Sequence, residues 1–403
     1  MKNKSPNSFW KTFAKNNWEK KHTLVKDFKS GIQDIDQSEI FEMLVSFSER
    51  CRKINEPSGF KLYIDGQLLH PEEVLEFLPE RKDQSLVGYN TRMEEIYSDY
   101  CLVCDELLQV SQKNWKRLTE FTNLLFAQVG FPNRFVEMGL YLGNYRKTPF
   151  GVHVDGCGVF SFPIVGRKTF RLWKPKFAEA HPDLDRSLSY SKYKKDSQVI
   201  EASPGDMTYW PSSAWHVAES SGKFTATWSL GVWVDQPLRE NVASALTPLL
   251  KTKLGIAGDS KSVSHDIYSQ GNEIKSLPKA YQQSIERIKS ISDSELRDAF
   301  MRDWVRSKSM MGFKTVPGPT KNLAPSSKSF VLEAGSIFWS KLSASKVVYA
   351  YRGNVIETPP SANLHNLVQA LNDGHQCLAS EFLKGSQKKR DFRTLQTLIG
   401  KNE

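Results

Sequence analysis

This chain of 403 residues has few cysteines, no long apolar run and no internal repeat, and each absence excludes a class of protein. A bilayer-spanning helix takes about 20 consecutive apolar residues, and no stretch here approaches that. The opening MKNKSPNSFWKTF lacks the apolar centre of a secretory signal. The expectation is therefore a soluble, cytoplasmic protein with no membrane partner. The five cysteines, Cys51, Cys101, Cys104, Cys157 and Cys377, are odd in number and scattered, which argues against a disulfide framework. Cys101 and Cys104 form a CxxC pair, but YSDYCLVCDELLQV reads as an amphipathic helix with no second ligand pair nearby, so a packing role is expected. The lack of a fixed period argues against a repeat architecture.

Apolar residues make up 39% of the chain and aromatics 11%, with ten tryptophans, enough to bury a core rather than leave the chain disordered. The length predicts one domain of more than two hundred residues and at least one smaller unit. The net charge of +10 is unevenly spread: Met301 to Glu403 holds 15 Lys and Arg against 7 Asp and Glu. Such a tail attracts an acidic partner or serves solubility, and its KGSQKKR segment reads as a solvated turn.

SFWKTFAKNNWEKKHTL sets aromatics at helical spacing, and residues 38–50 and 91–129 continue that period, with short strands near FKLYIDGQLL. From Phe135 to Val234 the period shifts towards two, with Gly and Pro punctuation, and reads as an antiparallel β-barrel or sandwich. LRENVASALTPLLKTKLG and the longer YQQSIERIKSISDSELRDAFMRDWVRSK are helical again and suit a dimerisation element. GFKTVPGPTKNLAPSSKS reads as a linker. Strands at KSFVLEA and KVVYAYRGNVIETPP, then helices at LHNLVQALNDG and RDFRTLQTLIG, suit a small winged-helix-like module. The expected divisions are residues 1–238, a helical region 239–308 and a basic domain 309–403.

In an extended segment, residues i and i+2 share a face, so His153 and Asp155 of GVHVDGCGVF can grip one ion together. A third ligand is needed. Of eight histidines, His22, His70, His181, His265, His365 and His375 lie in helical, loop or tail contexts. His216 differs: it opens a strand after the Pro204-Gly205-Asp206 turn and Trp210-Pro211, where a hairpin can bring it opposite the pair. Two imidazoles and one carboxylate leave about three metal positions open, the set associated with oxygen-activating non-haem Fe(II). A hydrogen-bonded His/Asp pair without metal is the competing reading of the HxD alone.

If PIVGRKTFRLW is a strand, Lys168, Phe170 and Leu172 share one face. A lysine on an apolar face needs a buried anion, such as the far carboxylate of a metal-chelating dicarboxylate, or else it snorkels to solvent from a barrel rim. On FTATWSLGVW the positions Thr225, Thr227, Ser229 and Gly231 form a small face suited to a cavity wall. Ser229 is the hydroxyl best suited to share that carboxylate, although ordinary barrel packing gives the same pattern.

The run from Tyr141 to Trp173, with His153-Val-Asp155 and Gly166-Arg-Lys168, followed by PGDM and His216, resembles the JmjC-type, cupin-fold 2-oxoglutarate oxygenases. Within them it is most similar to the ribosomal-oxygenase and asparaginyl-hydroxylase branch. The resemblance implies a mostly β core, a double-stranded β-helix (cupin or jelly roll) flanked by N-terminal helices, then a helical dimerisation region and a winged-helix-like C-terminal domain. It implies Fe(II) on His153, Asp155 and His216, and 2-oxoglutarate on Lys168, fifteen positions after the first histidine. Tyr141, twelve before that histidine, does the same work in some members, and a polar residue nine before, here Asn144, in others. Val159 and Phe150 depart from the asparaginyl-hydroxylase pattern and leave the substrate side unassigned. GCGVF is small, as if backbone must approach something closely.

The implied activity is hydroxylation of a protein or peptide side chain, with succinate and carbon dioxide released, by a homodimer whose partner is a ribosomal protein or a modified peptide. A carboxylate at Asp155 favours hydroxylation over halogenation, since related halogenases carry a small residue there. Two rival readings remain. One is a natural-product or small-molecule hydroxylase. The other is a non-catalytic cupin-like binding module whose winged helix contacts nucleic acid, although LHNLVQAL presents no outward Lys or Arg.

Overall fold

The computed structural model describes residues 6–29, 32, 35–132, 134–220, 222–234, 238–254, 277–318, 332 and 335–400. The chain divides into two compact units, residues 1–235 with 312–318, and residues 236–311 with 319–403. Among the described residues, no helix is long and apolar enough to cross a membrane.

The first unit begins with α1 (Pro6–Asn16), β1 (Thr23–Val25) and α2 (Gln37–Ile54). Asp36 caps α2, its carboxylate accepting from the Glu39 N–H at 2.8 Å. Ile40, Met43, Leu44, Phe47 and Cys51 form its buried stripe, and Asn55 ends it in the left-handed region with φ 53°. There follow β2 (Phe60–Ile64), β3 (Gln67–Leu68), α3 (Pro71–Phe77), α4 (Leu86–Glu94), β4 (Tyr100–Cys104) and α5 (Gln112–Val129). The central region comprises β5 (Phe135–Gly143), β6 (Gly158–Val165), β7 (Lys168–Trp173), α6 (Pro175–Ala180), β8 (Gln198–Ala202), β9 (Met207–Trp210), β10 (Trp215–Glu219) and β11 (Thr225–Trp233).

These strands make two antiparallel sheets, one ordered β1-β9-β6-β11-β5-β4-β2-β3 and one ordered β10-β7-β8. β5 and β11 pair along their full length, from Phe135 opposite Trp233 to Gly143 opposite Thr225. The arrangement is the double-stranded β-helix of the cupin fold, with a large antiparallel sheet and added helices. Its major sheet is covered on both sides, so β6 is nearly all apolar rather than alternating. Val159 joins Phe170 and Leu172 between the sheets, whereas Phe160 meets Tyr209 at 4.8 Å and the rings of Trp10, Phe13 and Phe121 on α1 and α5. The aromatic spacing of the N-terminal helix is thus explained by this outer layer.

The CxxC is not helical. It lies in β4, every residue of which is buried, between β2 and β5. A strand covered on both faces shows no alternation, and five apolar residues are too few to distinguish it from a buried helical turn by period alone. All five cysteines are free and buried, in keeping with a packing role.

The second unit holds α7 (Leu238–Leu254), α8 (Lys279–Lys289), α9 (Asp293–Ser309), β12 (Ile337–Ser343), β13 (Lys346–Tyr351), β14 (Asn354–Thr358), α10 (Ala362–Asn372), α11 (Ala379–Phe382) and α12 (Lys388–Ile399). The expected long helix breaks at Ser290–Ser292, where Ser292 caps α9 with Glu295 in a reciprocal box. KVVYAYRGNVIETPP is a hairpin rather than one strand, turning at Arg352-Gly353. β12 is not among the strands expected from the sequence, and KSFVLEA falls outside the described residues except for Leu332. One face of the sheet β12-β13-β14 packs Val347, Tyr349 and Tyr351 against Leu364, Leu367, Leu395 and Leu398 of α10 and α12. The other packs Val348 and Ala350 against Val305 of α9. The first part of the expected linker is built into the first unit, where the Val136 N–H donates to Gly312 O at 2.7 Å and Phe313 is buried.

Candidate metal centre

The expected hairpin does not form: β9 pairs with β1 and β6 in the large sheet, the turn after Trp210 carries the chain across to β10 in the small sheet beside β7, and the loop between β5 and β6 returns next to β10. His153 in that loop and His216 in β10 form a single antiparallel bridge. Their rings lie 4.4 Å apart, centroid to centroid. Asp155 closes the group: its two carboxylate oxygens lie 3.3 Å from His153 Nε2 and 3.3 Å from His216 Nε2. One ligand atom from each residue falls within 4.8 Å of the others. The Nδ1–H of His153 donates to Gly151 O at 2.9 Å and that of His216 to Ala214 O at 3.1 Å. These bonds occupy Nδ1 of each ring and leave each Nε2 turned towards Asp155. Burial opposes ionisation of Asp155, but its hydrogen bonds to His153 and His216 prevail and hold its carboxyl well below the usual carboxylate range. His153 is likewise penalised by burial, yet the Asp155 carboxylate raises its proton affinity. Two imidazole nitrogens and a permanent anion suit a divalent first-row metal such as Fe(II).

The three residues line a cavity of about 390 Å³ between the sheets. Lys168, the first residue of β7, is 2% exposed and reaches into it. Burial pushes its ammonium down to about 7. Its Nζ donates to the Tyr145 hydroxyl at 2.5 Å and lies 4.1 Å from that ring's centroid. No carboxylate pairs with it among the described residues. Thr227 also lines the cavity, and its buried hydroxyl has no hydrogen-bond partner among the described residues. A buried cation lacking its anion and an orphaned hydroxyl fit the carboxylate of a dicarboxylic acid such as 2-oxoglutarate.

Tyr141 and Ser229 line the same cavity. Burial raises the Tyr141 phenol well above its ordinary value, so it stays a neutral donor. Ser229 donates to the Ser161 hydroxyl at 3.2 Å, so that of the two hydroxyls β11 gives to the cavity lining Thr227 is the unengaged one; the Thr225 hydroxyl, also unpartnered among the described residues, is not part of the lining. Asn144 is not brought into the cavity: it is buried, accepts from the Tyr100 N–H at 3.0 Å and donates to Glu94 at 3.4 Å. Phe150 and Val159 form part of the apolar lining. What approaches GCGVF closely is Glu19, whose Oε1 lies 2.6 Å from where a Cβ on Gly158 would stand. Sequence reading missed Tyr145 and Arg186, which lines the cavity beside the ligands. The one available signal for Tyr145 was the need of a buried lysine for an oxygen partner.

Residues 112–239 match the family described as the JmjC domain. HSPB1-associated protein 1 of Bos taurus is 24% identical over 159 residues, 34% of this chain and 32% of that protein. The bifunctional lysine-specific demethylase and histidyl-hydroxylase NO66 of Caenorhabditis elegans is 28% identical over 131 residues, 32% of this chain and 17% of that one. The chain therefore spans a third or less of the length of these curated relatives. The crystal structure of the Escherichia coli ribosomal oxygenase YcfD is similar in fold, with a TM-score of 0.50 and 14% identity over 97% of this chain and 96% of that one. β5 to β11, with all three candidate ligands, lie inside the matched segment, so the part of the chain that builds the site is similar to the JmjC domain.

Proposed function

We propose that this protein is an Fe(II)- and 2-oxoglutarate-dependent hydroxylase acting on a protein or peptide side chain. The observation that carries the reading is the joining in one cavity of His153, Asp155 and His216 with a buried Lys168 that lacks an anion. Bound iron and 2-oxoglutarate supply oxygen activation coupled to release of carbon dioxide and succinate. The chain's own part is positional. The two histidines and Asp155 would hold the metal, and a carboxylate at 155 favours hydroxylation over halogenation. Lys168, oriented by Tyr145 and aided by Thr227 and Tyr141, takes the far carboxylate of the keto acid. Phe150, Val159, Phe170 and Trp210 keep bulk water from the reacting centre.

A polypeptide substrate is favoured by the charged rim, where Lys61, Asp105, Glu137 and Arg186 join the lining. The relatives' names point the same way: NO66 is named a histidyl-hydroxylase and demethylase, and YcfD a ribosomal oxygenase. A ribosomal protein or a modified peptide is the partner in this reading. A homodimer belongs to it too, supported by α8, no residue of which is buried and whose Tyr281, Ile285 and Ile288 are exposed at helical spacing. The winged-helix-like reading of the basic region 309–403 rests on the sheet β12-β13-β14 with α10 and α12 against it. A cytoplasmic location accords with five free thiols.

The test is conversion of 2-oxoglutarate to succinate by iron-loaded protein, with mass spectrometry of cell extract for a polypeptide heavier by one oxygen atom. Equal turnover by metal-stripped and iron-loaded protein refutes the assignment.

A further inference from the structure

The lining of the metal cavity includes a cation that has no carboxylate partner among the described residues. Arg186 lines the cavity, and its charge acts on His153. It is exposed, and among the described residues no carboxylate pairs with it. The rim carboxylates are already matched, Asp105 to Lys61 at 2.7 Å and Glu137 to Lys314 at 3.3 Å. The Arg186 backbone is unusual as well: its φ of 55° lies in the left-handed region, which costs a side-chain-bearing residue energy. It is held there by the segment just before His153. The Arg186 N–H donates to Val152 O at 2.7 Å, and the Val152 N–H to Ser187 O at 3.1 Å. Gly151, with φ +70°, has no Cβ, and one built there would stand 2.5 Å from Arg186 O. The residue bearing the guanidinium is thereby fastened to the residues bearing the first histidine.

The same loop leads to a second basic site. Two residues on, Leu188 O accepts from Lys147 Nζ. Beside it is a cavity of about 390 Å³ lined by Arg146, Lys147, Tyr190, Lys194, Glu219 and Ser220. Its one carboxylate, Glu219, is spoken for: it accepts from Tyr190 Oη and Arg171 Nε, each at 2.7 Å, and lies 3.3 Å from Lys194 Nζ. Asp99 is near enough to Arg146 to be affected by its charge but makes no ion pair with it. Arg146 and Lys147 are thus left without a carboxylate among the described residues.

We propose that Arg186, continued by Arg146 and Lys147, receives acidic side chains of the polypeptide on one side of the residue presented to the metal. This rests on the reading of the site as a polypeptide hydroxylase. The guanidinium fork matches a carboxylate with two parallel N–H donors. A loop fixed to the ligand segment sets the distance between that carboxylate and the reacting residue, which makes Arg186 a specificity residue.

The test uses full-length protein loaded with cobalt(II) and 2-oxoglutarate, and fluorescent glycine-serine peptides carrying three glutamates, three glutamines or three lysines. Wild-type protein binds the glutamate peptide about tenfold or more tightly than the glutamine peptide. Arg186→Gln removes most of that preference, Arg186→Lys keeps part of it, and Arg146→Ala with Lys147→Ala weakens it. Arg186→Glu shifts the preference towards the lysine peptide, a reversal that misfolding cannot produce. Equal binding of the glutamate and glutamine peptides by wild type, or a glutamate preference that survives Arg186→Glu, overturns the proposal. So does a single-stranded oligonucleotide that binds more tightly than the glutamate peptide and is lost in Arg186→Gln. Succinate formation by wild type is followed separately: its absence sinks the hydroxylase reading, while the peptide preference is decided on its own measurement.

Discussion

His153 and His216 exchange both backbone hydrogen bonds, His153 N–H to His216 O at 3.0 Å and His216 N–H to His153 O at 2.8 Å. The separation of the two imidazoles is therefore constrained by main-chain pairing. Side-chain removal at these positions leaves the bridge in place.

His153→Ala and Asp155→Ala should each abolish succinate formation while the far-ultraviolet circular dichroism stays that of the parent protein. Loss of the folded spectrum in both variants would show that the cluster is a structural hydrogen-bonded pair and not a metal site.

Metal should stabilise only the intact site. Manganese(II) or cobalt(II) at about 100 times its dissociation constant adds about 2.7 kcal/mol to the folded state, a rise of roughly 3 °C in unfolding temperature for a chain of 403 residues. The same scan on Asp155→Ala should show no rise, and stripping wild type with a chelator should reverse it.

The residues around Lys168 should separate by their contribution to 2-oxoglutarate binding. Lys168→Ala loses a charge-assisted bond and should raise the 2-oxoglutarate requirement by about tenfold to a hundredfold. Thr227→Ala and Tyr145→Phe should cost less, about fivefold each. Ser229→Ala should change little, because that hydroxyl is engaged with Ser161. A titration in which Ser229→Ala exceeds Thr227→Ala would reverse the assignment made from the orphaned hydroxyl.

Binding of 2-oxoglutarate should take up a proton above neutral pH. Lys168 is held down to about 7 in the folded protein by burial, from an ordinary 10.5. Between those values the unfolded chain carries more protons than the folded one, so this group's contribution to stability rises with pH across that window. A bound carboxylate favours the charged ammonium, so affinity should fall by up to about tenfold per pH unit above 7. Calorimetry at pH 8 in buffers of different ionisation enthalpy reads the uptake directly; no difference between buffers means that Lys168 does not change charge on binding.

Asn144 should prove structural. Asn144→Ala leaves the Tyr100 N–H without its acceptor inside the protein and should cost about 1–3 kcal/mol of stability. In denaturant titrations the midpoint falls, while the 2-oxoglutarate requirement of the surviving folded protein stays that of the parent.

The local pattern of the sequence determined a great deal: the shared face of His153 and Asp155, the turn that delivers His216, the apolar face bearing Lys168, the helices at both ends and a β core between them. Those features depend on residues a few positions apart, where periodicity and turn chemistry act directly. Only the tertiary structure decided which oxygens surround Lys168. Tyr145 reaches it from outside its strand, and Thr227 rather than Ser229 is left unpaired because the β6–β11 register sets Ser229 opposite Ser161. The same holds for Asn144, drawn away by Tyr100, for Cys101 and Cys104, whose strand is covered on both faces, and for Arg186, whose neighbours are fixed by pairing with Val152. Sheet register and two-sided burial are contacts between distant parts of the chain, and a sequence window records neither.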